Sequence, residues 1–166
     1  MKGAIIITLL ILALMSGFII RDVLLDYTVT TNEFPYMTVI NPLNTEKISP
    51  QDFIQENQIQ LYDDKIVINV PDAQISEFAN TNSMDPELDD GANGIEVPID
   101  CSDVRKGDII VYEPSWTDNL VVHRVVNIDS DENGIYFTLR GDNSQIQDPG
   151  KVRCDQIKSL VIGVLY

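Results

Sequence analysis

Gly3 to Ile20 (GAIIITLLILALMSGFII) is an eighteen-residue run without a charged side chain. Wound as an α-helix at about 1.5 Å per residue, it reaches roughly 27 Å, close to the thickness of a bilayer's hydrocarbon layer. A secretory leader has a shorter apolar stretch followed by small residues in an A-x-A-like pattern. Here apolar character continues through Phe18, Ile19 and Ile20 and resumes at Val23, Leu24 and Leu25. The run is therefore expected to be a retained membrane anchor rather than a cleaved leader or a core helix. Lys2 precedes it, and Arg21 after it is offset by Asp22 and Asp26. Basic residues set orientation, so the amino terminus is expected on the cytoplasmic side and the remainder on the outer face.

The remainder has room for about one domain. With 44% hydrophobic residues in the chain, it can bury a core. Eleven basic against 26 acidic residues give a net charge of −15. A patch that could neutralise a phosphate backbone cannot be assembled from that, so nucleic acid is excluded as a partner. The excess acid keeps the domain soluble. One histidine, His123, and two cysteines without CxxC spacing leave no expected metal site, and no cofactor motif is present. Cys101 and Cys154 either bridge a loop of about fifty residues or are two separate small buried side chains; sequence alone leaves both open.

Three segments are expected: residues 1–27 as the anchor, 28–58 as a polar spacer, and 59–166 as a β-rich domain. Pro35, Pro42 and Pro50 break any long helix in the spacer. Ser49 and Pro50 read as the cap and first turn of a short helix over 51–57. Beyond it, β-branched runs alternate with turn residues. Strands are predicted at 65–70, 94–97, 108–112, 120–128, 135–139 and 159–165, with a hairpin turn at 131–134. The expected fold class is mainly β, a small barrel or a pair of packed sheets.

Three patches carry groups capable of chemistry. Thr81-Asn82-Ser83-Met84-Asp85-Pro86 reads by itself as a polar turn. His123 lies in a strand whose alternation puts Val121, His123 and Val125 on one face. A lone strand histidine is usually a satisfied structural side chain, yet imidazole is well suited to take a proton near neutrality. Gly141-Asp142-Asn143, followed by Asp148, reads by itself as a loop after a strand, although a carboxylate there could orient an imidazole.

Taken in order, Ser-Met-acid-Pro, Gly-Asp-Ile-Ile-Val, Val-His-Arg-Val and Gly-Asp-Asn with a later Asp resemble the type I signal peptidase family. The histidine at position 123, where most bacterial members have lysine, is similar to the endoplasmic-reticulum and archaeal type. The resemblance covers roughly Asn80 to Tyr166 and the amino-terminal span. It implies Ser83 as nucleophile, His123 as general base and Asp148 as the acid that orients the imidazole. Asp142 would brace the site, and Thr81 would help the Ser83 N–H hold the oxyanion. The stretches Thr81–Met84 and Val121–His123 are the expected strand edges for an extended peptide, with Met84 and Val121 against the substrate. A preference for small side chains at the cleavage site follows from the resemblance alone. Asn82 stands where the family often has glycine, and Gln147 where several members have a first aspartate.

The function this implies is a membrane-anchored serine endopeptidase that cleaves signal peptides from translocated precursors by acyl transfer. Its partners would be those precursors and the bilayer through residues 3–20. Two alternatives are a weakly active or inactive member that serves as a membrane-tethered binding or assembly module, and a self-processing or regulatory protease with one dedicated substrate.

Overall fold

The computed structural model describes residues 47–166. The expected anchor, and the spacer up to residue 46, lie outside the described residues. Among the described residues no helix is long and apolar enough to cross a membrane.

The chain divides into two compact units, one holding Glu56–Asn69 and the other holding residues 47–55 and 70–166. The first contains a 3-10 turn, Glu56–Gln58, and a short antiparallel ladder of β1 (Ile59–Leu61) and β2 (Ile66–Ile68), with Ile59 opposite Ile68. The helix expected over 51–57 does not form. The backbone N–H and side-chain amide of Gln51 both donate to the Asp108 carboxylate, at 3.0 and 2.8 Å, which ties that segment down outside any helix. A seven-residue helix has too few hydrogen bonds to offset its own nucleation.

The second unit is built on one antiparallel sheet. Its strands are β3 (Gln74–Glu77), β4 (Asn93–Val97), β5 (Ile109–Tyr112), β6 (Val121–Asp131), β7 (Gly134–Arg140) and β8 (Ile157–Leu165). Their order across the sheet is β3-β4-β8-β5-β6-β7. The mainly β class holds, but the barrel does not close. β3 and β7 are the two outer strands, and Phe137 of β7 forms only a single bridge beyond the sheet, to Val152.

β5 is buried along its whole length, as an apolar run in the middle of a two-sided sheet should be. Alternation sends Ile110 and Tyr112 into one core with Val125, Phe137, Leu139 and Leu160, and Ile109 and Val111 into a second with Phe78, Met84, Leu88 and Val161. The second face is covered by the irregular segment 78–92. β6 and β7 join through the expected turn, closed by Gly134 at φ +100°. A Cys101–Cys154 disulfide, with 5.3 Å between Cα atoms, links two 3-10 turns at the margin of the first core. The sequence had left that pairing open.

Candidate functional site

β5 and β6 place the first two groups. Ile110 lies opposite His123 and Tyr112 opposite Val121 in their ladder, so His123 and Tyr112 point to the same face. His123 is only 8% exposed. Its Nδ1 lies 2.6 Å from Asp148 Oδ2. The Tyr112 hydroxyl donates to that same carboxylate oxygen at 2.8 Å. Asp148 sits in the loop after β7 and is held from its backbone too, its N–H donating to Leu139 O at 2.9 Å. Burial, followed by the neighbouring Asp148, pushes the Tyr112 phenol far above its usual range, so it stays protonated and acts as a donor.

Ser83 is brought to this pair by the other face's covering segment. Thr81–Met84 is a turn rather than the expected strand edge, because Asn82 takes the left-handed conformation at φ +55°. That is the backbone a glycine would supply, and asparagine is among the few other residues that enter it readily. Gly141 then packs between the two partners. A Cβ at that position would overlap the Ser83 carbonyl oxygen and lie 3.0 Å from His123 Nε2. The following residues clamp the turn: Asn143 N–H donates to Ser83 O at 3.0 Å, and its side chain to Asn82 O at 2.9 Å.

The Ser83 hydroxyl shares a 3.1 Å hydrogen bond with Thr81 Oγ1. Among the described residues it makes no bond to His123. Ser83 N–H also reaches Thr81 Oγ1, at 3.5 Å. Ser83, Thr81 and His123 line one cleft of about 280 Å³, walled by Phe78, Met84, Leu88, Trp116, Leu120 and Val121. Met84 and Val121, expected against the substrate, therefore border it. Asp142 is engaged elsewhere, in a two-pronged pair with Arg124 at 2.7 and 2.6 Å. Arg124 also donates to Gly107 O at 2.8 Å, which fastens the Gly141–Asn143 loop to the turn before β5. Gln147 is exposed, and none of the hydrogen bonds above involves it. Among the described residues no cluster of three His, Cys, Asp or Glu side chains could hold a metal.

Tyr112, Gly141 and Asn143 were not assigned a role from sequence. Tyr112 closes the apolar run DIIVY and reads there as a core residue; only the register with β6 turns its hydroxyl towards Asp148.

A carboxylate-bound imidazole beside a hydroxyl-bearing turn, at the wall of an apolar cleft, is a constellation suited to acyl transfer. Over 48 residues, 28% of its length, the chain is 38% identical to "Signal peptidase complex catalytic subunit SEC11C" from Homo sapiens, and equally to those from Canis lupus familiaris and Mus musculus. The matched stretch spans 25% of each relative. No family model matches the chain. No solved structure matches it.

Proposed function

We propose that this chain is a membrane-anchored serine endopeptidase that removes signal peptides from translocated precursors. The observation that carries the reading is the 2.6 Å His123–Asp148 pair, with the other ring nitrogen facing the glycine that packs on Ser83. The short similarity to a signal peptidase catalytic subunit supports the same class.

In this reading Ser83 Oγ turns from Thr81 to His123 Nε2 and attacks the scissile carbonyl. His123 takes the hydroxyl proton and returns it to the leaving amine. Asp148 holds the ring and balances the imidazolium that forms. The Ser83 N–H and the Thr81 hydroxyl turn to the oxyanion. Water then releases the acyl group, with His123 again as base. Asp142 braces the loop through Arg124. An extended substrate finds backbone partners along Val121–His123, which pair with β5 on one side, whereas β7 joins only from Arg124 onward. The apolar run at residues 3–20 is the anchor, and it keeps enzyme and precursor in one plane. A disulfide suits a domain on the outer, oxidising face.

The test is cleavage of a model precursor by the full chain in detergent. Ser83→Ala and His123→Ala should each lower the rate by roughly 10³-fold or more while the far-ultraviolet circular dichroism is unchanged. Undiminished cleavage by Ser83→Ala rejects the proposal. One observation favours the second reading, a tethered binding module: the Ser83 hydroxyl is engaged with Thr81. Covalent labelling of the wild-type chain by an acylating probe near neutral pH, lost in the Ser83→Ala variant, counts against the module.

A further inference from the structure

The acyl-transfer reading gives Tyr112 no task, yet its hydroxyl is a second donor to Asp148 Oδ2. Tyr112 is fully buried, packed among Ile110, Val125, Leu139 and Leu160. A phenylalanine would fill that space equally well and would avoid burying a hydroxyl. The hydroxyl is instead directed at the oxygen that binds His123 Nδ1, at 2.8 Å against 2.6 Å. Asp148 lies in a loop, where a carboxylate is free to rotate unless its oxygens are held. Two donors from adjacent strands, converging on one oxygen, fix its position.

We propose that Tyr112 is a positioning residue for the His123–Asp148 pair, its phenol fixing the carboxylate and tempering how firmly the imidazole keeps a proton. The inference rests on the reading of that pair as base and orienting acid. The sign follows from electrostatics. A donated hydrogen bond draws charge from Oδ2, so the carboxylate stabilises an adjacent imidazolium less. Other groups around the ring leave this control to Tyr112. Ser83 and Thr81 on the covering segment are neutral hydroxyls, and β7 and its end contribute Leu139 and Gly141, while the intervening Arg140 lies opposite Arg124 in the β6–β7 ladder and so shares its face. The charge of Arg124, next to His123 in β6, is directed to the other face and matched by Asp142. Burial beside Asp148 keeps the phenol protonated, so it donates throughout the working range.

His123 is the only histidine in the chain, so selectively labelled imidazole gives one unambiguous titration curve by nuclear magnetic resonance. The full chain in detergent is titrated as wild type and as Tyr112→Phe. The midpoint is expected to rise in the variant. Replacement of all tyrosines by 3-fluorotyrosine, whose phenol is a stronger donor, is expected to lower it, and this arm holds even if Tyr112→Phe fails to fold. In cleavage assays Tyr112→Phe should lower kcat roughly tenfold with KM little changed. Its deficit should widen as pH falls from about 8 to about 6. A purely structural tyrosine would leave the midpoint where it was, and that result, or a shift of the opposite sign, overturns the inference. The titration needs no substrate: inactive wild type with a shifted midpoint would sink the peptidase reading and leave the coupling standing.

Discussion

At the residue scale, the turn that carries Ser83 depends on one left-handed backbone and one close approach. Asn82 sits at φ +55°, where a β-branched side chain is strained by about 1–2 kcal/mol. Asn82→Val should therefore lose roughly that much stability and misalign Ser83, whereas Asn82→Gly should stay within about 0.5 kcal/mol of wild type by denaturant unfolding. Gly141→Ala meets the Ser83 backbone oxygen, which cannot swing aside as a flexible side chain would. It should cost about 1–3 kcal/mol and, in the proposed peptidase, lower cleavage by more than its effect on folding explains. The candidate residues themselves were legible, because Ser83, His123 and Asp148 fall in ordered motifs. Their convergence was not. It depends on Gly141 fitting between Ser83 and the imidazole, and on an asparagine reproducing a glycine's turn, neither of which leaves a periodic trace in sequence.

At the scale of elements, the long strands were legible and the marginal ones were not. β5, β6 and β8 carry β-branched runs bounded by turns. β3 is four residues with one large apolar side chain, Ile75, which is 66% exposed, so its edge position gives almost no pattern. The far end of the β6–β7 hairpin is held by charge instead: Asp131 takes Arg153 at 2.8 Å and Lys151 at 2.6 Å. Those cations, and the Asn133 N–H, hold the Asp131 carboxyl well below its usual range. A depressed carboxyl stabilises the folded state above the unfolded-state value of about 3.9 and loses that contribution as pH falls through the folded value. Asp131→Asn should accordingly melt lower than wild type at neutral pH. The gap should close in strong acid and narrow with added salt, because the pairs lie at the surface. A gap unchanged between about pH 7 and about pH 2 would contradict this account.

At the scale of the whole molecule, the disulfide closes a loop across 53 positions of sequence, which includes β5, β6 and β7. In the chain-entropy treatment such a loop is worth about 4 kcal/mol. A double Cys101→Ser, Cys154→Ser chain should lose about that much by urea unfolding, with the imidazole titration of the folded form unaltered. A loss under about 1 kcal/mol would mean that the bridge constrains little. The strand order has a temporal consequence. β8, the last strand in sequence, lies between β4 and β5, so until it inserts, the sheet exists only as two unjoined parts. A nascent chain threading from the ribosome would hold every group of the Ser83–His123–Asp148 set before the scaffold that aligns them is whole. Alignment of those groups would then wait until residues 157–165 have emerged and joined the two parts of the sheet.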